Sequence, residues 1–445
     1  MPPGAYGQYS VFLAWYQLIM IFTTLNMWNY LINNGIIKYG EQRNSFISSL
    51  FGLSTALTIV WFIVYLPCSG LWETLTGLSR ASMLLMFLEL LLMPAFEYFC
   101  ASKRFDYQAG PVVALSMAIT LITPLISVPM ILLSGDKGFA AIAGKVIGSS
   151  LGYIVAVIYI IRGSRHFFDK EYWLYALKFN LPLIPHFLSM LVLSQCDRIM
   201  IDRMCGSDAT GMYSVAYQAG MALQVLNAGI LSVYVPYTYK SIKAGAIGRI
   251  EQSATFLLLL IGMANLFAVL VAPELMRILA PPDYQMAVYV VQPVTMSNLF
   301  IFLFNLFANI EYYWNQTKQV AVASIVSAIA NIILNYIFIN LCGFIAAGYT
   351  TLFCYALFSF CHYLFMKRAE RLFMDEKEVY DIKKIVGISA LLLSASFVLI
   401  AFYGMPVVRY AILVISVIII AVKRNKVIEA IKKALGRENS SDESA

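Results

Sequence analysis

The sequence predicts an all-α fold: a polytopic transmembrane helical bundle of about 13 spans, with two parallel six-helix halves and an extra C-terminal pair. Three observations carry this reading. Of 445 residues, 60% are hydrophobic, only 12% are charged, and the mean hydropathy is +0.76. A soluble domain carries roughly 25% charged residues, so this chain holds more apolar surface than a water-facing fold can hide. Apolar segments of about 20 residues, the length that crosses a hydrocarbon layer of roughly 30 Å, recur along the whole chain. The charges gather between these segments, and their density alternates from one connection to the next.

The first segment, 9–30, lies in an uncharged opening stretch. The second, 45–67, follows Arg43 and stops at Pro67, and the third, 79–99, is bounded by Arg80 and Lys103. The fourth, 111–134, begins at Pro111 and contains Pro124 and Pro129, which fit a hinge or a static kink equally well. The fifth, 139–161, ends at Arg162, and the sixth, 175–196, contains Pro182 and Pro185. Segments 210–236, 253–274 and 286–310 follow, the last entered through Pro281-Pro282. No Lys, Arg, Asp or Glu lies between Lys318 and Lys367, so that stretch is divided at Asn340-Leu341-Cys342-Gly343 into 319–340 and 343–366. Segments 385–403 and 406–422 complete the set. Beyond them, Val427, Ile428, Ile431 and Leu435 recur at helical spacing among lysines, which predicts a helix on the membrane surface, and residues 438–445 are polar enough to be disordered.

Cytoplasmic connections retain Lys and Arg. Alternate connections and the C-terminal tail hold 23 of the 31 basic residues, the opposite side holds 6, and Lys145 and Lys178 fall within segments. The C-terminus is therefore expected in the cytoplasm and, with 13 spans, the N-terminus outside. The net charge of +7 is explained by this loop bias, and no nucleic-acid partner is expected. Three histidines, His166, His186 and His362, and seven cysteines form neither an HExxH nor a CxxC pattern, so neither a metal ion nor another cofactor is expected.

Ala5-Tyr6-Gly7-Gln8-Tyr9-Ser10-Val11 matches Ala209-Thr210-Gly211-Met212-Tyr213-Ser214-Val215 at five of seven positions, at an offset of 204 residues. Both copies open a segment that enters from the same side, as parallel halves require. In the second copy the segment 175–196 comes first; its counterpart would precede Met1, so the full unit is expected to have 14 spans and this chain to lack the first. The expected organisation is an N-terminal half-bundle at 1–173, a C-terminal half-bundle at 174–366, an additional pair with a basic loop at 367–422, and a cytoplasmic tail at 423–445.

Three stretches carry a family likeness: Leu177 through Pro185-His186, Ser194-Gln195-Cys196-Asp197-Arg198 through Ile201, and Gly211 through Tyr217. Together they resemble the opening of the second half of bacterial polysaccharide flippases, within the multidrug and oligosaccharidyl-lipid exporter superfamily. Pro3-Gly4-Ala5-Tyr6-Gly7-Gln8-Tyr9-Ser10 is similar to the segment that follows that family's first helix, and Leu279 through Tyr284 and Lys318 through Asn335 agree as well. The resemblance implies a multi-pass protein of the bacterial inner membrane that moves an undecaprenyl-diphosphate-linked oligosaccharide outward for capsule, O-antigen or exopolysaccharide assembly. It implies alternating access of a polar cavity between two helical halves and no enzymatic step. Membrane lipid is the surrounding partner, and a polysaccharide polymerase and glycosyltransferases act in the same pathway. Two alternatives stay open, a cation-coupled drug or metabolite exporter of the same superfamily and a membrane polysaccharide polymerase or glycosyltransferase. The latter would need a large external loop or a carboxylate-rich site, and neither is visible.

Charged groups inside spans are the candidates for function. Lys145 lies about 9 Å and Glu89 about 15 Å inside their segments at a rise of about 1.5 Å per residue. Lys145 would hold the diphosphate or serve as fixed partner of Glu89, and Glu89 would line the cavity or take up a coupling proton. Glu97 falls near the cytoplasmic edge, where solvation is expected. Asp197 and Arg198 close the sixth segment, followed by Asp202 and Arg203. Arg198 would meet phosphate at the outer mouth through bidentate guanidinium geometry, or these charges form local surface pairs. Lys178 and His186 flank the two prolines of a hinge or a plain kink, with Lys178 either a cargo contact or reaching to the cytoplasmic surface.

Overall fold

A computed structural model describes residues 1–28, 31–314, 316–374 and 378–422. The expected surface helix and tail beyond Val422 lie outside the described residues. Those residues form helices and connections with no strand among them. In chain order the helices are α1 (Pro3–Thr24), α2 (Leu31–Lys38), α3 (Arg43–Tyr65), α4 (Ser69–Thr76), α5 (Arg80–Phe105) and α6 (Ala109–Leu133). They continue with α7 (Lys137–Gly163), α8 (Lys170–Asn180), α9 (Ile184–Cys205), α10 (Ser207–Met221), α11 (Gln224–Lys243) and α12 (Ile247–Leu270). The remainder are α13 (Ala272–Leu279), α14 (Val288–Tyr313), α15 (Thr317–Cys342), α16 (Ala346–Phe373), α17 (Ile382–Ala401) and α18 (Pro406–Val422).

Among the described residues, 11 helical stretches are long and apolar enough to cross a membrane, and the chain is a multi-pass membrane protein. Two of the 13 expected segments fall short. In α1 the apolar residues are diluted by Gly7, Gln8 and Ser10, and α18 is described only as far as Val422, 17 residues. The division at Gly343 is observed: this residue ends α15 at φ 73°, a conformation open to glycine. Two expected segment ends are corrected. The sixth segment is broken at Leu181–Leu183 by a 3-10 turn around Pro182, and its helix then runs on to Cys205, so Asp197, Arg198, Asp202 and Arg203 are helical rather than part of a following loop. The ninth extends past 310 and takes Glu311 into α14.

Helix starts follow the usual chemistry of unsatisfied amides. Ser79 accepts from the Ser82 amide at 3.2 Å, Asp136 from Phe139 at 2.9 Å, Asp169 from Glu171 and Tyr172, and Asp381 from Lys384. Backbone donors to Asp169 and Asp381 hold both carboxyls below their ordinary range.

Packing divides the chain into two compact units, Met1–Gly211 and Met212–Ala445. In the first, α5, α7 and α9 pack on α1, and α6 packs on α7. No residue of α6 is buried in the protein, and it meets α7 through a stripe of small residues: a Cβ on Gly144 or Gly148 would press on the backbone of Ser127 or Thr123. Such stripes let helices approach where lipid removes the hydrophobic drive to associate. The first turns of α1 cross the first turn of α10 in the same manner. A Cβ on Gly7 would overlap the carbonyl of Ser207, and a Cβ on Gly211 would overlap the carbonyl of Pro3. In the second unit α14 is nearly enclosed by α12, α16 and α17, with Phe302, Leu306, Met366 and Tyr380 in its core.

Candidate functional site

Helices α1, α5 and α7 bring polar groups together inside the first unit. Glu89 sits in the middle of α5 with no exposed surface, between Leu88 and the core residue Leu90. A carboxylate there, stripped of water, needs a cation or a proton. Lys145 of α7 supplies an ion pair to Glu89 Oε1. Its ammonium also lies 4.7 Å from the centre of the Tyr16 ring of α1, a cation–π contact that disperses charge without a second anion. One turn along α7, Ser149 donates to the Lys145 carbonyl at 2.8 Å and stands 3.5 Å from Glu89 Oε1.

The pair is asymmetric. Lys145 keeps 19% of its side chain exposed, Glu89 keeps none, and Glu89 Oε2 has no protein hydrogen-bond partner. The cation is thus the member an arriving anion can reach, and the carboxylate is the member left to be neutralised if the cation turns away. Glu97, two turns on, is half-buried rather than fully solvated.

The structure joins Lys145 to Glu89, and the other candidates lie on α8 and α9. Arg198 is buried, and its Nη1 donates to the Ser194 carbonyl and to Gln195 Oε1, both at 2.8 Å, within its own helix. Asp197, also buried, is its chain neighbour. Arg198 is seven residues from the end of α9 and Lys145 eight from the start of α7, so each lies roughly 10–12 Å along its helix at about 1.5 Å per residue. Arg203 turns to the carbonyl of Thr74 at 2.6 Å, and Asp202 accepts from Ser207, so these two are engaged with other elements. Lys178 is exposed near the end of α8, and His186, beside Phe187, lies just after the 3-10 turn. Both are more than one helical turn from the level of Arg198 along the chain.

Sequence reasoning missed Tyr16 and Ser149. Ser149 had a signal, since it follows Lys145 by four residues and so shares its helix face. It also missed a buried pair in the second unit, Glu311 and His362. Apolar grooves of about 360 Å³ between α14, α16 and α17, and about 630 Å³ between α15 and α16, are lined almost wholly by side chains such as Phe300, Phe307, Leu334 and Phe338. Neither offers a charged group to a polar headgroup.

The first unit therefore holds a partly exposed lysine paired to a fully buried carboxylate. Residues 1–241 match the family described as "Polysaccharide biosynthesis protein". The chain belongs to that family. A protein of the Lsg locus of Haemophilus influenzae is 22% identical over 157 residues, which span 35% of this chain and 39% of that protein. The fold of this chain is shared with the lipid II flippase MurJ in an inward closed conformation, at TM-score 0.63 and 16% identity, covering 96% of this chain and 98% of MurJ. It is also shared with an inward-facing multidrug resistance MATE transporter of the MOP superfamily, at TM-score 0.61 and 12% identity over 83% of this chain and 92% of that one. A MATE transporter of Vibrio cholerae gives TM-score 0.53 at 14% identity, covering 84% and 90%. The chain therefore has the fold of the MurJ flippase and of these MATE transporters.

Proposed function

We propose that this protein carries an undecaprenyl-diphosphate-linked oligosaccharide across the bacterial cytoplasmic membrane, exposing a polar site to each side in turn. The observation that carries the reading is the Lys145–Glu89 pair in a chain of the polysaccharide biosynthesis family. A diphosphate-sugar headgroup crossing bare hydrocarbon would lose hydrogen bonds worth several kcal/mol each. Lys145 supplies a cation for the diphosphate, and a proton on Glu89 releases that cation. Anion binding and carboxylate protonation thereby become linked at one place. The cytoplasmic position of the basic connections, and so of the C-terminus, belongs to the same proposal and rests on the charge asymmetry.

The test is reconstitution of purified protein into liposomes containing a fluorescent lipid-linked oligosaccharide, with headgroup exposure on the far leaflet read by an impermeant quencher. Protein-dependent exposure supports the reading, and exposure equal to empty liposomes overturns it. The Glu89 oxygen without a partner specifically favours a second reading, a cation-coupled exporter of small molecules. In that case a cationic dye gradient, and not headgroup exposure, would respond to Glu89→Gln.

A further inference from the structure

We propose that Glu311 and His362 form a proton-binding site whose occupancy is tied to closure of α14 on α16 around it. Both side chains have no exposed surface, and His362 Nδ1 lies 2.7 Å from Glu311 Oε1. The imidazole is enclosed by Phe358, edge-on at 4.6 Å, and by Phe304, stacked at 5.8 Å. Glu311 Oε2 and His362 Nε2 are buried with no hydrogen-bond partner among the protein atoms. Glu311 is two residues from the end of α14, so the site is deep in protein yet about 3 Å along the helix from a boundary, at about 1.5 Å per residue.

Charge counting gives the behaviour. A closed, dry pair is neutral overall when it holds one proton, whether as neutral imidazole with carboxylic acid or as imidazolium with carboxylate. Removing that proton or adding a second leaves a net charge in a place without water, which is costly. Opened to water, the same groups follow ordinary values of about 6.5 for imidazole and about 4.3 for a glutamate carboxyl. Above pH about 6.5 the hydrated pair therefore holds no proton, and closing takes one up. The closure equilibrium then falls about tenfold for each pH unit above that value. Below about 4.3 the hydrated pair holds two protons and closure releases one, so closure is most favoured between the two values.

Several titratable groups on the surrounding elements are engaged among themselves. On α16, Lys367 pairs with Glu370 and with Glu378, and Cys361 adjoins His362 in sequence. Lys384 of α17 pairs with Glu251 of α12 and with Asp381. Tyr380 donates to the Leu306 carbonyl, Tyr234 of α11 to that of Ile250, and Tyr239 meets Tyr313 edge-on. Lys240 and Lys243 end α11, Arg249 opens α12, Lys383 opens α17, Lys318 opens α15, and Tyr363, Arg368 and Arg371 lie further along α16. Among the described residues, the ion-pair partner found for Glu311 is His362.

The experiment is amide hydrogen exchange of the full chain in lipid nanodiscs. Rates in the peptides that contain Glu311 and His362 are divided by their intrinsic rates at each pH. The normalised rate is expected to rise about tenfold per pH unit between pH 7 and 9, and to become flat in Glu311→Gln, which hydrogen-bonds the imidazole without needing a proton. A flat wild-type profile, or a slope retained in Glu311→Gln, overturns the proposal. If Glu311→Gln does not fold, His362→Gln decides: its profile keeps the slope but lies above wild type at every pH, and a profile identical to wild type overturns the proposal. No cargo enters this readout, so its failure leaves the transport reading untouched, and failure of transport leaves this site untouched.

Discussion

At the residue scale, the first unit depends on one charge balance. Removing Lys145 leaves Glu89 ionised without a partner or forces a proton onto it; breaking one member of a buried pair costs about 3–5 kcal/mol. Lys145→Met is therefore expected to lower the thermal unfolding midpoint in detergent, with Glu89→Gln added in the same chain restoring most of the loss. Headgroup translocation should stay depressed at least tenfold in the restored double variant, because stability returns without the cation. Equal activity of the double variant and wild type would remove Lys145 from the cargo path. A second balance lies outside the spans. The Arg43 guanidinium, 2.6 Å and 2.7 Å from the two Asp106 oxygens, holds that carboxyl below its ordinary range. A lowered folded value means that its stabilisation is full above the unfolded value of about 3.9 and is lost as pH falls through the folded one. The stability gap between wild type and Asp106→Asn should thus be constant from pH 7 to 5 and close below about pH 4, as read by unfolding midpoints. The Lys145–Glu89 alternative was legible because two opposite charges stood alone in apolar segments. Glu311 was not, since one residue past the apolar run looked like a loop, and only packing of α16 on α14 placed it inside.

At the element scale, apolar length and charge spacing located most helices to within a few residues, including the division at Gly343. What they missed was made by contacts. Asp197 and Arg198 were read as following a segment because charges usually mark a boundary; α9 instead runs on to Cys205 and packs on α1, which carries both residues inside the helix. Pro182 was read as a kink or hinge within one segment, and it stands in a 3-10 turn between α8 and α9. The α6–α7 contact is equally testable. Gly144→Ala and Gly148→Ala are each expected to destabilise by about 1–3 kcal/mol through overpacking against backbone. Gly110→Ala, which meets open space in the same helix pair, should change the midpoint little. Equal effects at all three positions would show that helix propensity, and not close approach, sets the cost.

At the scale of the whole molecule, the orientation predicted from loop charge is a single binary outcome. In a chain with its native cysteines replaced, single cysteines at Arg371 and at Asp136 should react with an impermeant thiol reagent from opposite faces of the membrane, and labelling of both on intact cells would overturn it. The fold class was legible because lipid imposes a composition and a length on every crossing helix. Which neighbours α8 and α9 pack against was not legible, since a repeat records kinship between segments and not contact. The glycine crossing at the end of α1 bears on that kinship. Pro3 and Ser207 are 204 residues apart, as are Gly7 and Gly211, and the contacts are reciprocal: Gly7 meets Ser207, and Gly211 meets Pro3. Reciprocity of this kind is the mark of an isologous interface, in which two identical chains present one patch to each other across a two-fold axis. The crossing is likewise reciprocal between the two copies of the repeated motif, so enlarging either glycine presses on the backbone of the other copy and neither copy can change at this point alone.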